Sequence, residues 1–248
     1  MKGTFFNKPL EWNIETKEES WPQGGKVNGV LRVKNHGAET VEIGEAGVGL
    51  AYADIKKVHA KIPGALKFNV KNSFPETKIS GGANIELPFS LQIDPNSPVS
   101  DKKGTLFLAY GRGYEENHLQ LSIQPNPLFG KIMGLMDTFQ RFKLKEYKAV
   151  KNGVEYKLLP PTSRDMANID TLLLTFSMDQ DTLKLVFDFQ VKKLDTSGVV
   201  NQIAKSSVKV EKCLTPKEYS LGRDMIHQDH LLKVLETVIG EVKLKAVF

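Results

Sequence analysis

The stretch Ile85–Ile93 reads IELPFSLQI, with apolar residues at every second position and polar residues or proline between them. Successive side chains of a β-strand point to opposite faces of a sheet, so this period of two predicts a strand with one buried face. Pro88 has no N–H to donate to a neighbouring strand, which places this strand at a sheet edge or at a bulge.

The same period recurs through the first half of the chain. Six further segments alternate in this way: Leu10–Ile14, Val27–Val33, Val48–Tyr52, Leu66–Val70, Leu106–Tyr110 and Leu119–Ile123. Turn signals such as Gly24-Gly25 and Asp94-Pro95-Asn96 separate the segments. Many short alternating strands with closely spaced turns are typical of an antiparallel β-sandwich, which we predict over residues 1–126.

The strand pattern breaks at Pro125-Asn126-Pro127. Apolar residues then recur at helical spacing, which predicts a short amphipathic helix near residues 128–140, inside a linker over 127–141. Met133 and Met136 lie in this helix. Because methionine is flexible and polarizable, the pair could form an adaptable partner-binding surface, or it could pack on its own domain.

The second half returns to a period of two, most clearly in Leu172–Phe176 and Leu183–Val191. Near the end, Leu231, Leu235 and Val238 recur at helical spacing, which predicts a helix near 224–239, followed by a last strand over 242–246. The predicted fold class is therefore mainly β: two tandem Ig-like antiparallel β-sandwich domains, with a short linker helix and a C-terminal helix. The second domain is predicted over residues 142–248.

Composition excludes several classes of protein. The 248 residues are 40% hydrophobic and 25% charged, which excludes collagen-like, disordered and coiled-coil chains. No apolar run approaches the length of about 20 residues that spans a bilayer, and residues 1–12 contain no apolar core of a secretory signal. The single Cys213 excludes an intramolecular disulfide and any zinc site with two thiolates. These features predict a cytoplasmic protein.

Motifs of catalysis and cofactor binding do not occur in the sequence. It contains neither a phosphate-binding Gly-x-x-x-x-Gly-Lys-Ser/Thr loop nor a Gly-x-Ser-x-Gly elbow. His227 and His230 are weak metal-ligand candidates, because residues three apart share a helix face. The metalloprotease spacing of His-Glu-x-x-His is absent, and ordinary helix packing is the stronger interpretation. We predict no catalytic residue, no cofactor and no metal.

A basic stretch over residues 141–157 follows the linker helix and includes Arg141, Lys143, Lys145 and Lys148. Together with Met133 and Met136, these residues form the predicted partner-binding site. The stretch could instead bind an anionic membrane surface, or it could be a solvated strand face. Nucleic acid is not a predicted partner, since no recognition motif accompanies the charges. Trp21, in a loop before Pro22, leaves a carbohydrate-binding module as a further alternative.

Two stretches carry a resemblance to a known family. Residues 21–34, WPQGGKVNGVLRVK, and residues 85–98, IELPFSLQIDPNSP, resemble early and later strands of arrestin-like N-domains, and Ser100 and Tyr110 follow in the family's order. The helical junction after Pro127 resembles the bacterial branch typified by the sporulation-control protein M group. One departure is that Pro160-Pro161 is followed by Thr162-Ser163, so the Pro-Pro-x-Tyr ligand motif is absent.

The resemblance implies two Ig-like sandwiches without enzymatic activity. It implies an adaptor or scaffold that binds protein partners through edge strands, loops and concave sheet faces. Free sheet edges can also pair with a second copy of the chain, so a homodimer through edge strands is expected as one outcome. The candidate edges are the strand of Pro88 and the N-terminal strand around Leu10.

Overall fold

The computed structural model describes residues 1–44, 46–75, 77–112, 117–151, 153–195, 202–222 and 225–245. The chain divides into two compact units, Met1–Gln124 and Pro125–Phe248. The elements of the first unit are β1 (Lys2–Asn7), β2 (Leu10–Thr16), β3 (Ser20–Pro22), β4 (Lys26–Asn35), β5 (Val41–Glu42), β6 (Ala46–Asp54), α1 (Ile55–His59), β7 (Lys67–Ser73), β8 (Lys78–Ile79), β9 (Asn84–Gln92), β10 (Gly104–Arg112), β11 (Asn117–Gln120) and β12 (Ser122–Gln124).

The first unit is a sandwich of two four-stranded antiparallel sheets, with strand orders β1-β2-β4-β9 and β11-β10-β6-β7. Alternate side chains of β2 are fully buried in the core between the sheets, among them Trp12, whose ring stacks on Phe5 with centroids 5.8 Å apart. Tyr110 of β10 enters the same core, and its ring lies 5.5 Å from that of Phe5.

Two predictions about sheet edges have different outcomes. The strand of Pro88 is β9, which lies at one end of the sheet order, so the edge position predicted from its missing N–H is confirmed. The strand around Leu10 is β2, and it is not an edge. Residues Lys2–Asn7 form β1 and pair along its whole length, so β1 takes that position.

The second sheet of this unit is buried on both faces along its central strands, β6 and β10. One face packs in the core of the sandwich. On the other face Val58 of α1 and Leu66 of the following loop pack against Phe107. A short helix and its loop therefore cover part of this outer face, and they lie where β6 ends.

In its described residues, the second unit contains five long strands and two longer helices. Its elements are α2 (Pro127–Thr138), β13 (Lys143–Val150), β14 (Gly153–Leu159), a 3-10 turn (Arg164–Met166), β15 (Ile169–Asp179), β16 (Thr182–Asp195), β17 (Gln202–Leu214), α3 (Pro216–Tyr219), β18 (Ser220–Gly222), β19 (Met225–Ile226) and α4 (Gln228–Lys245). Strands β13 to β17 form one antiparallel sheet in sequence order.

The predicted fold class is confirmed as mainly β, with antiparallel sheets, a helix after residue 126 and a C-terminal helix. In the second unit, the layer that covers the five-stranded sheet is not the second sheet that a sandwich would have. Within the described residues its five-stranded sheet is accompanied only by the two-stranded ribbon β18-β19. Helix α2 packs on the sheet instead, with the ring of Phe129 4.9 Å from that of Phe176, and α2 also contacts α4. Alternation along a strand shows that one face is buried but not which element covers it.

Helix α2 begins one residue before the predicted helix, because Asn126 caps it by accepting a hydrogen bond from the Leu128 N–H at 2.9 Å. It packs within the second unit, where the prediction had assigned it to a separate linker. Helix α4 runs from Gln228 to Lys245, so the predicted strand after residue 241 is wrong. Val242 is fully buried on the same helix face as Val238 and Ile239, which keeps the chain helical there. Asp224 and Ala246 lie outside the described residues.

Candidate functional site

Strand β13 forms a free edge of the five-stranded sheet. Within the part of the chain that is described, it pairs only with β14, and its side chains are exposed from Lys143 to Lys148. The backbone N–H and C=O groups of an antiparallel strand point alternately to either side, so about half of those of β13 face away from β14. The register slips between Leu144 and Glu146, which makes Lys145 a bulge residue.

Large apolar side chains flank this edge. Four of the eight large hydrophobic residues that are exposed among the described residues lie here, which makes the edge an apolar patch as well as an unpaired strand. They are Phe139, Leu144, Tyr147 and Leu159, with 50, 50, 43 and 41% of their surface exposed.

The two faces of the edge differ in chemistry. Leu144 and Tyr147 are opposite the buried Leu158 and Tyr156, so they lie on the apolar face of the sheet, and the two tyrosine rings are 5.7 Å apart. Lys148, opposite Glu155, lies on the other face. An added strand would therefore meet apolar side chains on one face and a charged surface on the other.

The predicted basic residues gather at this edge but differ in charge pairing. The Lys148 ammonium lies 2.8 Å from Glu155, and this hydrogen bond raises the pKa of Lys148. Lys143 pairs with Asp137. Within the described residues Arg141 and Lys145 form no ion pair, and Arg141 turns the chain from α2 towards β13 with a φ of 58°. Whether these residues bind a partner remains a prediction.

The methionines do not belong to this surface. Met133 is 8% exposed and Met136 is fully buried. Of the two alternatives for the methionines, packing is the one that their burial favours, because the apolar stripe of α2 faces inward. Trp21 is only 2% exposed, which also removes it as a sugar-stacking platform. Its strand β3 pairs with β12, and its ring enters the core of the first unit.

His227 and His230 lie together at the start of α4. Their rings stack with centroids 5.6 Å apart, and Nε2 of His230 is 3.8 Å from Oε1 of Glu218. Nδ1 of His227 is buried and has no hydrogen-bond partner in the part of the chain that the structure describes. Among the described residues no group of three or more His, Cys, Asp or Glu side chains is arranged to hold a metal ion.

Sequence reasoning missed a second basic surface, in the first unit. We define the α1 surface as Lys56, Lys57, Lys61, Lys102 and Lys103, all of them exposed. Strand β10 begins beside the end of β6, since Gly104 pairs with Asp54, and this pairing brings residues 102–103 to α1. The pairs Lys56-Lys57 and Lys102-Lys103 were visible in the sequence, but about 45 residues separate them along the chain.

A cavity of about 460 Å³ adjoins the α1 surface, lined by Val58, Lys61, Ile62, Pro63, Gly64, Ala65, Leu66, Asn117 and His118. The ring of His118 lies edge-on to Phe107 at 5.4 Å. Burial, and secondarily the charge of His59, lower the pKa of His118 below its ordinary value of 6.5.

The lowered pKa of His118 predicts that acid weakens the first unit. The unfolded chain takes up this proton at a higher pH than the folded unit, so the contribution to stability is complete above about pH 6.5 and is lost as the pH falls towards the folded pKa. An NMR titration should show His118 titrating below 6.5. Thermal unfolding can be measured between neutral and mildly acidic pH. The unfolding temperature of a His118→Phe variant should fall less with acid than that of the wild-type protein. Titration of His118 at or above 6.5 would contradict the prediction.

No protein-family model matches the sequence, and a search of curated proteins also finds no match. Among solved structures, Spo0M, the sporulation control protein from Bacillus subtilis, is similar over 95% of this chain and 99% of its own, with a TM-score of 0.62 and 15% identity. The predicted resemblance to this group is confirmed in the fold.

Two other solved structures are similar over about half of the chain. A beta-glucosidase from Listeria innocua covers 47% of this chain and 16% of its own, with 8% identity and a TM-score of 0.29. The C-terminal domain of wzt covers 50% of this chain and 78% of its own, with 9% identity and a TM-score of 0.28. Likenesses this weak carry no argument about function. None of the helices in the described residues is long and apolar enough to cross a membrane.

Proposed function

We propose that this protein is a non-enzymatic adaptor that binds an extended segment of a partner protein along the free edge of β13. The observation that supports it is the strand itself, which is basic, is flanked by apolar side chains and, within the described residues, is unpaired along one side. A peptide that adds to a sheet edge gains main-chain hydrogen bonds, and its alternate side chains provide specificity. The similar structure is named a control protein, which fits a regulatory role for this chain.

The two faces of the edge define the chemistry of the bound segment. Apolar side chains of an added strand would pack beside Leu144 and Tyr147. The intervening side chains would lie on the face of Lys143 and Lys148. Each of these lysines already has an acidic partner, so the preference for acidic groups comes mainly from Lys145, which forms no ion pair within the described residues. The preferred segment therefore alternates acidic and apolar residues.

Self-pairing of β13 is less favourable than pairing with an acidic strand. The strand contains Lys143, Lys145 and Lys148 against a single acidic residue, Glu146. Two copies paired along this edge would bring net positive strands together, and like charges across a ladder are destabilising. A homodimer, if it forms, is therefore expected at another edge, such as β9.

Binding of a synthetic peptide tests the proposal. The probe is a fluorescent peptide of alternating glutamate and valine, and the control peptide has the same charge but proline at two central valine positions. Proline cannot donate to a ladder, so the control should bind at least tenfold more weakly if binding occurs by strand addition. Equal binding of the two peptides would mean simple charge attraction and would overturn the proposal.

Protein variants locate the binding site. Lys145→Glu and Tyr147→Asp should each weaken binding of the glutamate-valine peptide roughly tenfold, through charge reversal and loss of apolar contact. Lys209→Glu on β17, the opposite edge strand, makes the same charge change as Lys145→Glu and should leave the affinity within about twofold. A loss of affinity in Lys209→Glu equal to that in Lys145→Glu would exclude β13 as the site.

A further inference from the structure

The α1 surface is held together by backbone contacts at one end of the first unit. The N–H of Ile55 donates to the carbonyl of Lys103 at 2.9 Å, which fixes the turn at 101–103 against the start of α1. The N–H of Ile62 donates to the carbonyl of Lys57 at 3.1 Å, which folds the loop after α1 back onto the helix. The lysines and Ile62 therefore share one end of the sandwich.

The charges of this surface are not neutralised within the described residues. None of its five lysines lies in an ion pair there. Among the described residues, Asp54 and Asp101 lie at this end and keep their negative charges, but their carboxylates accept from backbone N–H groups and form no ion pair with these lysines. Oδ1 of Asp54 accepts from the N–H of Lys56 at 2.8 Å, and Oδ1 of Asp101 accepts from the N–H of Lys103 at 2.7 Å. On β13, in contrast, Lys143 and Lys148 are both paired.

Apolar groups accompany the charges. Ile62 is 48% exposed beside the lysines, next to the exposed Pro63. The adjoining cavity has apolar walls that include Val58 and Leu66. An anionic bilayer attracts lysine side chains to its headgroups, and it buries apolar side chains at the boundary between headgroups and acyl chains. A surface with lysines around an exposed aliphatic side chain is complementary to both layers.

We infer that the α1 surface docks the protein on an anionic membrane, with the lysines against the headgroups and Ile62 inserted below them. This differs in place and ligand from the peptide site on β13. Proteins that hold single-stranded nucleic acid stack bases on exposed aromatic rings, whereas the exposed apolar residues here are aliphatic. The structure thus favours the loop after α1, and not the basic stretch from Arg141, as a membrane contact.

Vesicle sedimentation of the full chain tests this inference. Wild-type protein should sediment with phosphatidylcholine vesicles containing about a third phosphatidylserine, should not sediment with phosphatidylcholine alone, and should be released by high salt. Each lysine near an anionic surface contributes about 1 kcal/mol, so Lys56→Gln/Lys57→Gln should weaken partitioning roughly 30-fold. Ile62→Ser should weaken it roughly tenfold through lost apolar burial.

Matched controls separate the docking surface from general charge. Lys17→Gln/Lys34→Gln removes two exposed lysines elsewhere in the same unit and should leave partitioning within about threefold. Equal losses in the two double variants would overturn the inference, and so would no loss in Ile62→Ser. Competition by inorganic phosphate at constant ionic strength would indicate a free-anion site instead. Binding to a short DNA duplex without vesicle binding would indicate a nucleic-acid surface. The vesicle experiments do not involve the peptide site on β13, so failure of one proposal can be distinguished from failure of the other.

Discussion

Replacing Phe176 with alanine is expected to lower the free energy of unfolding of the second unit by about 3–5 kcal/mol. Phe176 is fully buried in β15, and its ring lies 4.9 Å from that of Phe129 and 5.2 Å from that of Tyr156. It therefore joins helix α2 to the sheet. The truncated side chain would leave a cavity between them, and the loss of aromatic contacts adds to that cost.

Spectroscopy can assign this loss to one unit. Both tryptophans, Trp12 and Trp21, lie in the first unit, so tryptophan fluorescence follows that unit, whereas far-ultraviolet circular dichroism follows both. In denaturant titrations Phe176→Ala should shift part of the dichroism transition to lower concentration and leave the fluorescence midpoint unchanged. Phe176→Leu, which keeps most of the volume, should cost less than about 1.5 kcal/mol. A cost of Phe176→Ala no larger than that of the leucine variant would contradict the assigned packing.

Replacing Gly153 with valine is expected to cost the second unit at least about 3 kcal/mol. Gly153 has a φ of 142°, which side chains with a Cβ rarely adopt, and a Cβ there would overlap the carbonyl oxygen of Phe176. The next residue, Val154, is paired with Phe176, so the substitution forces β14 away from β15. Because β14 is the only strand that pairs with β13 among the described residues, peptide binding at the free edge should fall as well.

A glycine in open space provides the control for this variant. Gly130 lies on α2, where a Cβ would meet nothing within 4 Å. Gly130→Ala should therefore stabilise the second unit by about 0.5–1 kcal/mol, because alanine loses less conformational entropy in a helix. Denaturant titrations of both variants give the comparison. Similar effects of the two substitutions would show that the backbone geometry at Gly153 is not the cause.

Local chemistry made several features of this fold predictable. The missing N–H of Pro88 placed its strand at a sheet edge or at a bulge, and β9 is an edge. The apolar spacing after Asn126 predicted helix α2. These features depend on residues a few positions apart, so a sequence pattern reports them directly.

The composition of the candidate surfaces was less predictable. Met133 and Met136 were consistent with either a partner surface or packing, and their burial depends on the sheet that α2 meets. The basic stretch that begins at Arg141 was visible in the sequence, but the ion pairs that its lysines form were not. Lys148 is separated from Glu155 by the hairpin turn, and only the register of β13 and β14 brings the two to 2.8 Å.

By itself the sequence determined a mainly β chain that folds in two parts, the helix after residue 126, the C-terminal helix and the edge position of Pro88. Across the described ranges, the tertiary structure decided which sheet edge stays unpaired, which lysines form no ion pair and what covers the sheet of the second unit. The α1 surface exists only because Gly104 pairs with Asp54 and brings two distant lysine pairs together. Periodicity records which way a side chain points, whereas the neighbour it meets is set by contacts between residues far apart in the chain.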